Sequence, residues 1–199
     1  MGNYCIFKSQ KNYYISEIYD KLLNSFNKKL IRIAITGPES TGKSTLATQL
    51  ANDYKTVWVP EYARGYIDQL NRPYQEKDLK EIAKGQIQAE NKAELKANKF
   101  VFCDTELTVI KIWSLYKFGK VDPFILSEAN IRSYDLYFLM DIDLPWEYDP
   151  QREHPEKRKY FFDWFDKELN AKNVNYRIIR GNEEKRFQMA RNLIDEFFS

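Results

Sequence analysis

The residues with the clearest chemical meaning form one short segment, Gly37-Pro-Glu-Ser-Thr-Gly-Lys-Ser-Thr45. Its glycines let the backbone wrap around a phosphate chain, and its amide N–H groups face the anion. Lys43 reaches the β and γ oxygens of a nucleotide, and the Ser44 hydroxyl is a ligand for Mg²⁺. We therefore predict that the chain binds ATP or GTP here. The residues assigned to nucleotide binding are Gly37, Glu39, Ser40, Thr41, Gly42, Lys43, Ser44 and Thr45.

The sequence around this segment has the pattern that a phosphate-binding loop requires. The apolar run of residues 31–36 precedes it, which is typical of a buried strand. Leu46, Ala47, Leu50 and Ala51 follow it at helical spacing. Because strand, loop and helix signals agree, a chance match to the motif is a poor explanation.

Acidic residues follow three of the other predicted strands. Glu61 comes after residues 56–59, Asp104 and Glu106 come after residues 100–103, and Asp141 and Asp143 come after residues 136–140. Ligands of open parallel sheets bind beyond the carboxyl ends of the strands, so these side chains are expected to converge. Asp104 has the position of a carboxylate that holds Mg²⁺ or accepts a proton, although it could instead cap the next helix.

The acceptor side of the cleft is assigned to residues after the second strand. The Glu61 carboxylate can accept hydrogen bonds from sugar hydroxyls or act as a base, and Arg64 can bind a phosphate. A surface ion pair between these two residues is the alternative. We assign catalysis to Lys43, Asp104, Glu61 and Arg152, and acceptor binding to Glu61, Tyr62, Arg64, Glu106 and Trp113.

Residues 144–160 are polar and basic and have the composition of a lid. Arginines in such a segment can neutralise charge on the transferred phosphoryl group while the closed lid excludes water. Arg152 is our first choice for this role and Arg158 the second. Beyond the last strand, Gly181 and Asn182 are candidates for contact with the nucleotide base, or belong to a plain turn.

Apolar strand-like runs alternate with helical stretches along the chain, at residues 31–36, 56–59, 100–103, 136–140 and 176–179. This alternation predicts an α/β fold with a five-stranded parallel sheet, helices on both faces and a mobile lid. We expect an N-terminal extension over residues 1–30 and a P-loop kinase domain over residues 31–199. The helices are predicted near residues 62–70, 79–90, 107–117, 127–133, 155–170 and 183–198.

Composition excludes several classes of protein. The chain has 199 residues and a formal net charge of +2, which gives no global electrostatic signal for nucleic acid. Two cysteines cannot build a disulfide framework, and the single histidine excludes a histidine-rich metal site. With no secretion signal and no apolar run of membrane-spanning length, we expect a cytoplasmic protein without nucleic-acid or membrane partners.

Four segments together resemble the bacterial ribosylnicotinamide kinases, including the kinase half of bifunctional NAD-salvage proteins, within the P-loop nucleoside-kinase-like group of AAA-type ATPases. They are the phosphate loop, Pro60-Glu-Tyr-Ala-Arg64, Phe102-Cys-Asp-Thr-Glu106 and Asp143-Leu-Pro-Trp-Glu-Tyr-Asp-Pro-Gln-Arg152. The resemblance runs from about residue 31 to the C-terminus. It implies Mg²⁺ and ATP-dependent phosphorylation of the 5′-hydroxyl of nicotinamide riboside, giving nicotinamide mononucleotide.

Two departures from the family pattern qualify what the resemblance implies. The bifunctional members carry an adenylyltransferase domain with paired histidines, a motif that this chain lacks, so we expect it not to complete NAD synthesis alone. Family members that bind the nicotinamide ring often have an aromatic residue just before Glu-Tyr-x-Arg, where this chain has Pro60.

Three functions remain open from the sequence. The first is a nicotinamide riboside kinase, and the second is a kinase for another nucleoside or small hydroxylated metabolite. The third is a regulatory module that senses a nucleotide. The acidic and basic residues aimed at an acceptor favour the kinases, because a sensor needs only the phosphate loop.

Overall fold

The computed structural model describes residues 29–198, and its centre is a five-stranded parallel sheet. The strands are β1 (Ile31–Thr36), β2 (Val57–Val59), β3 (Phe100–Asp104), β4 (Leu136–Met140) and β5 (Tyr176–Ile179). Their order in the sheet is β2-β3-β1-β4-β5, so β1, which leads into the phosphate loop, is central. All four pairings are parallel, as the alternating pattern predicts.

Helices join the strands and cover the sheet. They are α1 (Lys43–Asp53), α2 (Tyr62–Asp68), α3 (Glu76–Glu94), α4 (Leu107–Phe118), α5 (Pro123–Ile131), α6 (Arg158–Ala171) and α7 (Glu183–Phe198), with a short 3₁₀ helix at Pro155–Lys157. Within the described residues this arrangement confirms the predicted fold class, a parallel sheet with helices on both faces. The predicted extension over residues 1–30 falls almost wholly outside these residues and stays a prediction.

One helix begins earlier than the apolar pattern predicts. The sequence indicates a helix over residues 127–133, whereas α5 begins at Pro123. The Asp122 side chain caps it by accepting a hydrogen bond from the Phe124 N–H (2.8 Å), and proline at the first helical position suits the helical φ angle. The cap chemistry, rather than the apolar spacing, therefore sets this boundary.

The hydrophobic core lies on both faces of the sheet. Ile33, Ile35 and Phe138 pack with α1 and α7 on one face. On the other side, Leu79 and Ile82 of α3 pack with α4 and α5. Among the helices described, none is long and apolar enough to cross a membrane.

The register of the sheet brings the predicted site residues to one edge. Asp104 of β3 lies opposite Ile35 of β1, next to the start of the phosphate loop. Val59 of β2 lies opposite Cys103, so Glu61 follows at almost the same level as Asp104. Residues more than 40 positions apart in sequence therefore converge beyond the carboxyl ends of adjacent strands.

Candidate active site

The phosphate loop adopts a conformation that depends on two of its glycines. Gly37 has φ of 130°, and a Cβ there would lie 3.1 Å from the Met140 carbonyl oxygen. Gly42 has φ of 77° and is the N-cap residue of α1. Both angles lie in the region that residues with side chains rarely adopt. The loop can therefore present its backbone to an anion and lead directly into the N-terminus of α1.

Lys43, the first residue of α1, lies across the loop. Its ammonium donates hydrogen bonds to the carbonyl oxygens of Gly37 (3.1 Å) and Pro38 (2.8 Å). The buried Thr41 hydroxyl donates to the same Pro38 oxygen at 2.8 Å. These contacts hold one positive charge at the mouth of the loop, where it can compensate phosphate charge.

Asp104 faces the phosphate loop from the end of β3. Its side chain is buried (1% exposed), and the Thr105 and Ser44 hydroxyls lie beside it. Burial raises the pKa of Asp104 above its ordinary value, although the positive charge of Lys43 acts in the opposite direction. The Asp104 carboxylate and the neighbouring Ser44 hydroxyl form a pair of oxygen donors that suits Mg²⁺.

Glu61 follows β2 and lines the same cleft as the phosphate loop. Its side chain is half-buried, and burial raises its pKa while the charge of Lys43 lowers it. In the part of the chain that the structure describes, its carboxylate has no hydrogen-bond donor. A desolvated carboxylate near Lys43 and Asp104 is well placed to accept a hydrogen bond from an incoming hydroxyl.

The lid segment comprises residues 144–154, because residues 155–160 of the predicted lid form the 3₁₀ helix and the start of α6. It lies against the phosphate loop and α2. Arg64 of α2 donates a hydrogen bond to Asp149 at 2.8 Å, and Gln151 donates to the Arg64 carbonyl oxygen at 3.2 Å. The Arg152 guanidinium donates to the Ser40 hydroxyl (3.3 Å). The lid segment is therefore held over the cleft by both of the elements that border it.

The space between these elements is a cleft of about 360 Å³, within the range of small-molecule sites. Part of its lining is polar and includes the phosphate loop, and another part is apolar. The apolar wall comes from α4 and α6, through Val109, Trp113, Phe161 and Phe165. The cleft therefore offers a charged subsite next to one that can hold a flat ring.

Comparison with known families supports this arrangement of loop, sheet and cleft. The model of a family described as AAA domain (AAA_28) matches residues 32–186. The chain belongs to this AAA domain family. The matched residues run from β1 to the first turn of α7 and so include every side chain described above.

Two relatives are similar to this AAA domain over most of its length. Each is described as trifunctional NAD biosynthesis/regulator protein NadR, one from Escherichia coli (strain K12) and one from Salmonella typhimurium (strain LT2). Each is 30% identical over 173 residues, which is 82% of this chain and 42% of the relative. The chain thus spans less than half the length of these relatives. The similarity confirms the resemblance to NAD-salvage proteins that the motifs indicate.

Solved structures show that the fold is shared. A NadR protein in complex with NAD and AMP-PNP superposes with a TM-score of 0.71 at 22% identity, covering 84% of this chain and 49% of that one. A NadR protein in complex with NR gives 0.73 at 20% identity, with coverage of 84% and 50%. Deoxyadenosine kinase from M. mycoides gives 0.55 at 13% identity, covering 83% of this chain and all of that one.

Most residues that the sequence assigns to the site line the cleft of the AAA domain. They are Gly37, Glu39, Ser40, Thr41, Gly42, Lys43, Ser44, Thr45, Glu61, Arg64, Trp113 and Arg152. Asp104 lies behind the loop, in contact with Ser44. The structure therefore brings these residues together, whereas Glu106, Tyr62, Gly181 and Asn182 lie elsewhere.

Glu106 is buried away from the cleft and has a structural position instead of the predicted contact with the acceptor. It is 2% exposed and is the N-cap residue of α4, where its carboxylate accepts a hydrogen bond from the Thr108 N–H at 2.8 Å. It also accepts one from the Thr36 hydroxyl at 3.3 Å. Because Glu106 caps this helix, Asp104 does not, which removes the alternative that Asp104 is the cap.

Tyr62 also lies outside the cleft. Its ring covers Gly85 of α3, where a Cβ would lie only 2.0 Å from the ring. The Tyr62 N–H donates to the Gln86 side chain at 3.0 Å, so the start of α2 is attached to α3. Tyr62 thus positions α2, and its ring packs on Gly85 while 39% of the residue stays exposed.

Gly181 and Asn182 build the turn before α7. The Gly181 N–H donates to Asp143, and the Asn182 side chain accepts a hydrogen bond from the Lys185 N–H at 3.0 Å. Asn182 therefore caps the first turn of the helix, as asparagine often does. This is the turn that the sequence analysis offers as the alternative to base contact.

Arg186 is a site residue that no sequence motif indicates. Its side chain is 3% exposed and donates to the carbonyl oxygens of Thr41 (2.6 Å), Gly181 (2.7 Å) and Asp141 (2.9 Å), and it forms an ion pair with Asp143. It thereby attaches α7 and the ends of β4 and β5 to the phosphate loop. A signal was present in the sequence, because position 186 shares a helix face with the buried Ala190 and Ile194.

We expect Arg186→Met to lower the free energy of unfolding by about 2–3 kcal/mol, since several buried acceptors lose their donor. Arg191→Met is the matched control, because it makes the same change on the same helix where the side chain is 46% exposed and pairs with Asp53. The control is expected to cost at most about 1 kcal/mol. Urea denaturation of the two variants checks this, and equal costs would refute the anchoring role of Arg186.

Proposed function

We propose that this protein is an ATP-dependent kinase that phosphorylates the 5′-hydroxyl of nicotinamide riboside to give nicotinamide mononucleotide. One observation carries the proposal. A single cleft joins the phosphate loop and Lys43 to a carboxylate, Glu61, that has no donor among residues 29–198 and to an apolar wall that includes Trp113. A nucleotide sensor would need only the first of these parts.

The comparisons support the proposal. The relatives that share 30% identity are described as NAD biosynthesis proteins. Of two NadR structures with the same fold, one is described as a complex with NR and the other as a complex with NAD and AMP-PNP. A fold shared with deoxyadenosine kinase is consistent with phosphoryl transfer to a nucleoside.

On the donor side, the phosphate loop binds the phosphates of ATP through its amides, and Lys43 compensates the charge of the β and γ groups. Ser44 and Asp104 would hold Mg²⁺, and their oxygens fit a cation that takes few protein ligands and keeps phosphate and water as the others. When bound, the ion neutralises charge that develops on the transferred phosphoryl group.

On the acceptor side, Glu61 receives the hydrogen bond of the 5′-hydroxyl and orients that oxygen towards the γ-phosphate. Phosphoryl transfer depends mainly on such positioning and on charge stabilisation. Arg152, in the lid segment, contributes to both by binding the transferred phosphoryl group. The flat ring of the acceptor packs against Trp113 and the apolar wall of α4 and α6. Because Pro60 stands where family members often have an aromatic residue, we assign contact with the ring to the wall formed by α4 and α6.

We expect Glu61→Gln to lower kcat/KM for the acceptor by about 10- to 100-fold, the typical effect of losing a hydrogen bond to a charged group. ATP affinity is expected to stay unchanged, because Glu61 is assigned to the acceptor hydroxyl and not to the nucleotide. Glu81→Gln, an exposed glutamate on α3 that pairs with Lys84, is the control with the same chemistry. Steady-state kinetics with varied acceptor and calorimetric titration of ATP separate these effects. Wild-type kinetics in the Glu61 variant would refute the role of Glu61 in binding the acceptor.

The proposed activity itself is tested by ADP release from ATP and Mg²⁺ with nicotinamide riboside, with common nucleosides or with no acceptor. We expect nicotinamide riboside to be turned over fastest. Faster turnover of another nucleoside would support the kinase activity but show that nicotinamide riboside is not the preferred substrate. ATP binding without transfer to any acceptor would overturn the kinase and favour the nucleotide-sensing module.

A further inference from the structure

Two side chains of the phosphate loop are bonded to the lid segment. The Glu39 carboxylate accepts hydrogen bonds from the backbone N–H groups of Glu153 (3.1 Å) and His154 (3.4 Å). The Ser40 hydroxyl accepts one from the Glu147 N–H (2.9 Å) and one from the Arg152 guanidinium (3.3 Å). The two residues are consecutive in the loop, and their four partners come from one eight-residue segment of the lid.

The backbone of the loop takes part in the same contact. Arg158, at the start of α6, donates to the Ser40 carbonyl oxygen at 3.0 Å and to the Leu144 carbonyl oxygen at 2.8 Å. Arg158 therefore links the loop to the beginning of the lid segment, whereas Glu39 and Ser40 bind its middle and its end directly. Arg158, the second choice for a lid arginine, is engaged with backbone oxygens of the loop and lid.

A glutamate within a phosphate-binding loop needs a physical reason. An anion beside bound phosphate opposes binding by like-charge repulsion, so a neutral residue would serve nucleotide affinity better. In this structure the Glu39 carboxylate faces two successive amide N–H groups of the lid, which favour its charged form together with the nearby Lys43 ammonium. Its position is explained by the lid rather than by the nucleotide.

We propose that Glu39 and Ser40 are positioning residues that hold the lid segment over the cleft and orient Arg152 towards the transferred phosphoryl group. This inference rests on the proposed kinase function for the role of Arg152, and it replaces the expectation that both side chains contact the nucleotide. Arg152 also donates to the Glu147 carbonyl oxygen at 2.6 Å, and the Glu147 N–H in turn donates to the Ser40 hydroxyl. The guanidinium is therefore held by Ser40 both directly and through Glu147. A guanidinium fixed before the substrate arrives loses less side-chain entropy during the reaction.

The first test measures hydrogen exchange of lid amides in the free protein by NMR. In Glu39→Ala the Glu153 and His154 amides are expected to exchange about tenfold faster or more, because a hydrogen bond to a charged acceptor is lost. In Ser40→Ala the same is expected for the Glu147 amide. Glu39→Gln, which retains an oxygen acceptor, is expected to restore part of the protection.

The control for this measurement is Glu156→Ala, an exposed glutamate just beyond the lid segment. It is expected to leave the exchange of all these amides at wild-type rates. Faster exchange confined to the lid supports the proposal. Unchanged exchange rates would overturn it, because they would exclude the hydrogen bonds between loop and lid. Faster exchange throughout the sheet together with a lower melting temperature would also overturn it, because that result would indicate a general structural role.

The second test is a double-mutant cycle between Ser40→Ala and Arg152→Ala, followed by kcat and by the dissociation constant of ATP. If Ser40 acts through Arg152, Ser40→Ala lowers kcat about tenfold in the wild-type background, the effect of one hydrogen bond to a charged group, and has no further effect once Arg152 is absent. ATP affinity then stays the same in all four proteins. Weaker ATP binding upon Ser40→Ala in both backgrounds would assign Ser40 to the nucleotide and refute the inference.

The two tests separate the inference from the proposed function. Hydrogen exchange is measured without substrate, so it tests the lid contacts whether or not the protein is a kinase. Absence of kinase activity on every acceptor would refute the proposed function and leave the exchange result to decide the role of Glu39 and Ser40. An active kinase with unchanged lid exchange would refute the inference alone.

Discussion

Lys43→Met is expected to abolish phosphoryl transfer in a protein that remains folded. The Lys43 ammonium lies at the mouth of the loop, where it compensates charge on the β and γ groups both before and during transfer. Contacts of this kind are typically worth about 3–4 kcal/mol, so we expect kcat to fall by at least two to three orders of magnitude. Methionine keeps the length of the side chain, which isolates the loss of the charge.

The measurement for Lys43→Met combines the rate of transfer with thermal unfolding. Lys167→Met, at an exposed position of α6, is the matched control and is expected to keep wild-type activity and stability. A Lys43 variant that melts like the wild type and still transfers phosphate at a substantial rate would remove the phosphate loop from the mechanism.

Asp104→Asn is expected to lower the rate by on the order of 10²-fold or more while the protein remains as stable as the wild type. The change removes the charge of the carboxylate but keeps the size of the side chain and an oxygen that can accept from Ser44. A neutral amide is a weak ligand for Mg²⁺, so the Mg²⁺ concentration needed for half-maximal activity is expected to rise. Asp163→Asn on the surface of α6 is the control.

The direction of the stability change follows from the pKa of Asp104. Burial raises that pKa in the folded state, so the ionised form is less favourable when folded than when unfolded. The associated stability is complete below the unfolded pKa and is lost as the pH rises through the folded value. At neutral pH, Asn is therefore expected to leave the melting temperature unchanged or slightly higher. A rate within about threefold of wild type would refute the role in metal binding or proton transfer.

The sheet and the phosphate loop of this protein could be predicted from the sequence because their signals are local. Every predicted strand is present with its ends displaced by at most one residue, since buried parallel strands are continuous apolar runs. The loop motif combines its two glycines, Lys43 and Ser44 within nine residues, so its geometry depends little on distant parts of the chain.

The acceptor side was predicted less completely, because side-chain direction depends on the backbone between neighbouring residues. Asp104 and Glu106 are two positions apart at the end of the same strand, yet one faces the loop and the other is buried under α4. Thr105 between them has φ of 77°, a turn that no local pattern of residue types announces. Tyr62 in the same way is directed onto Gly85 of a helix that follows it in the chain.

By itself, the sequence determined a parallel sheet, a phosphate-binding loop after its central strand and a group of acidic residues at one edge of that sheet. Only the tertiary structure decided which acid faces the loop, that Arg186 attaches the last helix to it, and that Glu39 faces the lid. The physical reason is the range of the interactions involved. Hydrophobic periodicity and backbone conformation act over a few residues. The contacts of Arg186 and Glu39, by contrast, join positions more than 100 residues apart in the chain and form only when the helices have packed.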